Sequence, residues 1–286
     1  DHRYLHSFPT RRSSDLGRVR LVAAEPAVDA SDRVKLGLQF ELASHWKIYW
    51  RSPGDAGYPP RLDWSGSQNL AEATIAWPAP RRFSVLGLET MGYEGEVVLP
   101  IAVRLQHAGE ALHAVAALQY LTCENICIPY EATLTLDLPA GAAPVGGAGF
   151  ADLIDRFQAQ VPGDGGTAGI RLQGMTIETG GKPMLTLMLS ADPPLAHPDA
   201  FVEGPEGVAF GPPKVIADDA KHPVLRLGVF TVAKTPPSLV GHPLTVTVVD
   251  GSRSLEATAI PAETPAPSEL ARLLPMLITA LIGGLI

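Results

Sequence analysis

The stretch RVKLGLQFEL, residues 33–42, carries Val34, Leu36, Leu38, Phe40 and Leu42 at every second position, with mostly polar or small residues between them. That two-residue period marks a half-buried β-strand, because successive side chains on a strand point to opposite faces. Working outward, short runs of the same kind recur at 46–50, 96–105, 111–121 and 132–138, separated by clusters such as RSPGDAGYPP (51–60). Regularly spaced short strands with Gly, Pro and Asp between them predict an antiparallel sandwich. The 27 Pro and 28 Gly in 286 residues fit a chain of strands and turns better than one of long helices.

Composition shifts at PAGAAPVGGAG (139–149), a small-residue linker. After it Phe150, Leu153, Ile154, Phe157 and Val161 fall at helical spacing, which predicts a short amphipathic helix opening a second unit. Strand patterns resume in MLTLMLS (184–190), VLRLGVFTV (224–232) and LTVTVVDG (244–251), so the second unit is also expected to be all-β. It contains no cysteine. The Pro-rich PAETPAPSE (261–269) leads to LLPMLITALIGGLI (273–286), fourteen residues without a charge. A membrane-spanning helix needs about twenty such residues, and this run is read as the start of one, against the alternative of a buried terminal helix or strand.

At the other end, HSFPTRRSSDL (6–16) matches, residue for residue, one reading frame of a common sequencing adapter, so residues 1–16 are read as non-native. The expected organisation is therefore a first β domain at 17–140, a linker and short helix at 141–164, a second β domain at 165–261, a spacer at 262–272 and the membrane segment from 273. The formal charge is -8, and removing the leader, with its three Arg and two Asp, leaves -9. That balance argues against a basic face for nucleic acid.

Only two cysteines are present, Cys123 and Cys127, in LTCENICIPY (121–130). Three chemistries suit them. As a structural staple the pair is poorly placed, since closing a loop of about five residues contributes roughly 2 kcal/mol against more than 4 for a loop of around 100. As a metal site, with His107 or His113 adding nitrogen, it lacks the second ligand pair that structural zinc wants, although cuprous copper accepts two thiolates. As a redox pair it would cycle between dithiol and disulfide by thiolate attack, provided a tight hairpin brings the two Cα atoms within about 4.4–6.8 Å. Glu124 is acidic and no Lys, Arg or His lies between the cysteines, so reactivity is expected to depend on the partner. Trp46, Trp50, Trp64 and Trp77 read as core and sandwich-edge aromatics, and Pro129 as the residue that ends and stiffens the turn. Tyr49 and Tyr58 are candidates to line the cysteine site.

GDAGYPPRLDW (54–64), WPAPRRF (77–83), LETMGYEGEVVLPIAV (88–103) and LTCENICIPYEATLTL (121–136) together resemble the periplasmic N-terminal domain of the DsbD family of membrane thiol:disulfide interchange proteins. The likeness is closest to its ScsB-type members, and LPMLITALIGGLI (274–286) is similar to the opening of that family's first transmembrane helix. The resemblance implies two tandem immunoglobulin-like sandwiches in the periplasm, held at the bacterial inner membrane. It implies that Cys123 and Cys127 form a redox pair, with Cys127 forming mixed disulfides and Cys123 resolving them. Electrons would come from cytoplasmic thioredoxin through the chain's own transmembrane domain, and pass to periplasmic disulfide isomerases or thioredoxin-like proteins. No organic cofactor or metal is required by that scheme, while some relatives are linked to copper tolerance. The family's cap loop maps to Glu89, Thr90, Met91, Gly92 and Tyr93. Its familiar aromatic ahead of the glycine is absent here, which leaves Met91 or Tyr93 as the expected cover. The alternative from a different class is a surface β-sandwich binding module whose disulfide only stiffens a loop.

Overall fold

The alternation in residues 33–42 becomes β3 (Arg33–Leu42), the centre of a sheet whose inward side chains Leu36, Leu38 and Phe40 are fully buried. The computed structural model describes residues 11–14, 16–85, 87–141, 149–179, 182–216, 219–231 and 238–265. The chain divides at Pro162/Gly163 into two compact units. Each is an immunoglobulin-like β-sandwich. Among the described residues no helix is long and apolar enough to cross a membrane. The apolar run at 273–286 lies outside those residues.

In the first unit β3 is joined by β1 (Arg11–Ser14), β2 (Gly17–Ala23), β9 (Glu96–Leu105) and β6 (Leu70–Ile75) in the order β1-β2-β3-β9-β6. β1 belongs to the stretch read as non-native. Its pairing with β2 uses backbone groups, which any sequence offers. The facing sheet has the order β11-β10-β4-β8-β7, from β11 (Cys127–Leu138), β10 (Leu112–Cys123), β4 (Lys47–Gly54), β8 (Leu88–Glu94) and β7 (Arg81–Val85), with β5 (Arg61–Asp63) beside β10. The two sheets close on a core that includes Ile48, Trp50, Leu99, Ile101, Leu118 and Leu134. Phe40 meets Tyr120 edge-on across the gap, with ring centroids 5.2 Å apart. Of the four tryptophans only Trp50 is fully buried, and Trp46, Trp64 and Trp77 are half-buried.

β3 departs from the sequence reading in one respect: its other face is covered too. Gly37 and Gln39 are buried because α1 (Ala151–Gln158) lies against this sheet. The helical spacing from Phe150 onward holds, but the helix belongs to the first unit and does not open the second. Gly37 makes room for it, since a Cβ there would stand 3.1 Å from Ile154 Cγ1 and 2.7 Å from Val98 Cγ1. A polar relay fixes the helix alongside. Arg20 Nε donates to Gln39 Oε1 at 2.7 Å, Gln39 Nε2 to Glu96 Oε1 at 2.8 Å, and Arg156 Nη2 to Glu96 Oε2 at 2.6 Å. Nothing in the periodicity of either segment signals this docking.

β11 is an edge strand and pairs with β10 over twelve rungs, from Leu112↔Leu138 to Cys123↔Cys127. Its far end is closed by Val28, whose N–H donates to the Pro139 carbonyl at 2.9 Å and whose carbonyl accepts from the Gly141 N–H at 2.9 Å. Pro129 stands inside β11 opposite Leu121, not at the end of the turn. An edge strand tolerates proline where the missing N–H would have pointed away from the sheet.

The second unit holds β12 (Ile170–Thr179), β13 (Met184–Ala191), β14 (Asp199–Glu203), β15 (Val208–Phe210), β16 (Lys214–Val215), β17 (Val224–Thr231), β18 (Leu244–Asp250), β19 (Arg253–Ala259) and β20 (Ala262–Pro265). A sheet β15-β17-β13-β12-β20, with β16 on β17, packs on a three-stranded sheet β14-β18-β19. Leu185, Leu187, Leu225, Leu227, Val246 and Val248 form the centre of its core. The buried Asp250 carboxylate organises one end, accepting from the N–H groups of Ala196 and His197 and from Arg253 Nη2, at 3.1, 2.7 and 2.6 Å. Arg253 also donates to the carbonyls of Pro193 and Pro194. Burial pushes the Asp250 pKa up, but the N–H of His197, the Arg253 guanidinium and the N–H of Ala196 outweigh it, so the net shift is downward.

Two outcomes are expected. Ile154→Ala should destabilise the first unit by about 3 kcal/mol, read from its denaturant transition. A carboxyl whose folded pKa lies below its unfolded value of about 3.9 stabilises fully above that value and loses the contribution as pH falls through the folded pKa. The second unit should therefore lose stability as pH drops below about 4, and Asp250→Asn should abolish that part of the acid dependence while costing about 2 kcal/mol at neutral pH. Acid titrations followed by circular dichroism would check both effects.

Candidate redox site

Cys123 ends β10 and Cys127 begins β11, with only Glu124, Asn125 and Ile126 between them. The Glu124 N–H donates to the Ile126 carbonyl at 3.1 Å and closes the turn. The two sulfurs are joined as a disulfide, and the Cα atoms are 4.2 Å apart, just below the lower bound expected from sequence. So short a spacing, together with the Glu124 to Ile126 bond, makes the two residues a directly opposed, non-hydrogen-bonded pair of the ladder.

The sulfurs differ sharply in surroundings. Cys127 is exposed, whereas Cys123 is 1% exposed although it lies on the outer face of its sheet. Along β10 the core takes Leu112, Ala114, Ala116, Leu118, Tyr120 and Thr122, which leaves Cys123 on the other side. What buries it is Tyr49. Its hydroxyl donates to Cys123 Sγ at 2.9 Å and lies 3.6 Å from Cys127 Sγ. Burial raises the Tyr49 pKa, so the phenol keeps its proton, and its role as donor, throughout the neutral range.

Tyr49 reaches this place through β4, which is seated between β10 and β8. Ile48 is opposite Thr122 and Lys47 opposite Cys123 on one side, and Tyr49 is opposite Gly92 on the other. Thr122 Oγ1 donates to the Lys47 carbonyl at 3.0 Å and fixes that register. Strand alternation then sends Ile48 and Trp50 to the core and Lys47 and Tyr49 outward. The fold thus supplies a cation next to Cys123 that the spacing within the pair does not show. The Lys47 ammonium is engaged by the His45 carbonyl at 3.1 Å, by Glu94 at 3.4 Å and by the Phe83 ring at 5.2 Å from its centroid.

The Tyr49 ring is itself covered by Gly57, whose φ is +94°. A Cβ at Gly57 would stand 2.3 Å from the ring's Cζ, so only glycine allows this approach. The loop carrying Gly57 is clasped to the segment singled out as a cap. Asp55 N–H donates to the Glu89 carbonyl and Glu89 N–H to Asp55 Oδ2, both at 2.9 Å.

Glu89, Thr90, Met91, Gly92 and Tyr93 do not form a loop. They are the body of β8, hydrogen-bonded between β4 and β7. Gly92 is pressed against β4, where a Cβ would lie within van der Waals overlap of the Ile48 carbonyl. Tyr93 turns inward and donates to the Pro78 carbonyl at 2.7 Å, and the Met91 sulfur lies over Gly54. Neither makes the contact with sulfur that Tyr49 makes. Tyr58 is half-buried beneath the Arg61 guanidinium, and His113 pairs with Asp137 near the opposite end of the hairpin. The signal for Tyr49 was present in KIYW (47–50), where alternation separates Lys47 and Tyr49 from Ile48 and Trp50.

Residues 18–139 match the family described as Thiol:disulfide interchange protein DsbD, N-terminal. The N-terminal periplasmic domain of ScsB from Proteus mirabilis is 28% identical, over 90% of this chain and 99% of that one, with a TM-score of 0.70. The first unit is a DsbD-type N-terminal domain. The reduced N-terminal domain of DsbD from Neisseria meningitidis is 15% identical over 44% of this chain and 87% of its own, with a TM-score of 0.26. Residues 160–264 match a Domain of unknown function (DUF8393). No curated relative matches the chain. The DsbD-type domain, with its one disulfide at a hairpin tip, is a thiol–disulfide exchange domain of the DsbD/ScsB kind.

If Tyr49 is what screens the inner sulfur, displacing it opens the disulfide. Gly57→Ala and Tyr49→Ala should both let dithiothreitol reduce the Cys123–Cys127 bond roughly tenfold faster, in a stopped-flow measurement, because exchange rates depend on access to sulfur. Unchanged rates would place the screen elsewhere.

Proposed function

We propose that the chain is the extracytoplasmic part of a membrane electron transporter, and that its DsbD-type domain works as a protein-disulfide reductase. The observation that carries this reading is the inequality of the two sulfurs, one exposed at a hairpin tip and one covered by a tyrosine hydroxyl. A staple needs no such difference. A relay does, since one sulfur must meet the partner and the other must wait for the intermediate.

In the reduced domain the Cys127 thiolate attacks a sulfur of the partner's disulfide. A bond forms between Cys127 and that sulfur, and the partner's second sulfur leaves as a thiolate and takes up a proton. The Cys123 thiolate then attacks Cys127 Sγ, re-forms the Cys123–Cys127 disulfide and releases the partner's first sulfur. Two electrons and two protons pass to the partner in total. Tyr49, placed between both sulfurs, donates to whichever carries negative charge. The Thr90–Tyr93 segment, clasped through Glu89 to the loop over Tyr49, is then a support for the cover and not the cover itself.

The partners proposed are periplasmic thioredoxin-like proteins or disulfide isomerases. Re-reduction would come from cytoplasmic thioredoxin through a transmembrane domain of the same protein, at the bacterial inner membrane. The likeness to the N-terminal periplasmic domain of ScsB from Proteus mirabilis supports that setting.

Cys123→Ser should accumulate a mixed disulfide with an oxidised thioredoxin-like periplasmic protein, visible on non-reducing gels, and Cys127→Ser should give none. Adduct from neither variant would overturn the proposal. In a redox titration the pair should equilibrate well above about -300 mV, the region where inert structural disulfides sit.

A further inference from the structure

Tight turns favour Gly, Asn, Asp, Ser and Pro, which supply the backbone angles or the local hydrogen bonds that a reversal needs. The turn between the cysteines instead places Ile126 directly before Cys127, with 64% of it exposed. Its carbonyl serves the turn by accepting from the Glu124 N–H, but most of its side chain meets no part of the domain. A single exposed hydrophobic residue is ordinary. This one has company. Cys127 and Pro129 lie two apart on β11 and share its outer face, and Leu121, directly opposite Pro129, shares the outer face of β10 with Cys123. Pro129 is exposed and Leu121 half-buried.

Beyond that rung the outer face of β11 becomes polar, with Glu131, Thr133, Thr135 and Asp137 in turn, and Gln119 Nε2 donates to Glu131 Oε1 at 3.1 Å. The apolar side chains are thus gathered around the reactive sulfur, Ile126 on its turn side and Pro129 with Leu121 on its strand side, and a polar rung bounds them. A small apolar centre with a polar rim is the pattern of a surface that another protein covers.

A partner joined to Cys127 cannot avoid this patch. The two bonded cysteines stand about 4.4–6.8 Å apart at their Cα atoms, so the side chains flanking the partner's cysteine are brought against those flanking Cys127. Resting on the exchange reading above, we infer that Ile126, backed by Pro129 and Leu121, is a specificity-determining contact that selects disulfides set in apolar surroundings. The occupant is the apolar surround of the partner's own reactive cysteine. Apolar flanks gain by leaving water against Ile126, whereas polar flanks would lose water there without a hydrogen bond in exchange.

The test uses the full chain, reduced and freed of reductant, and two short peptides whose single cysteine is held as the mixed disulfide with thionitrobenzoate. One peptide carries Leu on each side of the cysteine and the other Ser. The Cys127 thiolate attacks the peptide sulfur, a Cys127–peptide disulfide forms, and thionitrobenzoate leaves as a coloured thiolate that reports the rate. Relative to dithiothreitol, which corrects for the intrinsic reactivity of each peptide, the protein should favour the Leu peptide by about fivefold or more, the gain expected from covering most of one Ile side chain. Ile126→Ser should abolish that preference, and Asn125→Ser, in the same turn, should keep it. No preference in the unaltered protein, a preference that survives Ile126→Ser, or one lost equally in Asn125→Ser would overturn the role of Ile126 while leaving exchange intact. No release from either peptide would overturn both readings.

Discussion

The twelve-rung pairing of β10 with β11 is the constraint from which the site follows. Side chains on a strand alternate, so a slip of β11 by one residue would carry Leu134 and Leu136 out of the core and turn Cys127 into it. The core of the DsbD-type domain therefore holds Cys123 on the outer face and directly opposite Cys127. The buried leucines and the reactive sulfurs are set by a single register. The disulfide sits at its last rung, where a three-residue turn leaves the strands no freedom to shift.

An outer face is normally wet, and a sulfur there would be open to any thiol in solution. The domain solves this locally. β4 enters between β10 and β8 for a few residues only, long enough to bring Tyr49 over Cys123, and Gly57 seals the far side of the ring. The opposite sheet is treated in a parallel way, with Gly37 leaving a recess that Ile154 of α1 fills. In both places a missing side chain permits a large one to lie flat on a sheet. Glycine, normally a weak strand residue, is here what makes a second layer possible.

Much of this was legible in the chain. The period in residues 33–42 pointed to the fold class, the runs at 96–105 and 132–138 fell within strands, and two cysteines four apart marked the site, with the family resemblance selecting exchange from the three chemistries that suit them. What escaped was tertiary. Periodicity shows that residues 150–161 form a helix with an apolar face, but not which sheet that face meets. The family resemblance maps a loop onto the segment from Glu89 to Tyr93. Only the neighbouring strands make it β8, because Gly92 is demanded by the approach of the Ile48 carbonyl. Pro129 reads locally as a turn residue, and it becomes a strand residue once β11 is known to lie at an edge. Tyr49 could have been placed outward by counting, yet nothing local says that Cys123 lies under it.

The two ends of β11 are finished differently, and this has a consequence for life in a crowded compartment. A long unpaired edge invites other chains to add to it and begin aggregates. Here the backbone of Val28 shuts one end and the ring of Pro129 interrupts the other, while Glu131 and Thr133 put polar side chains along the middle. The ring of Pro129 thus breaks the edge into two short stretches, so a foreign strand cannot pair without interruption from the middle of β11 to the reactive sulfur.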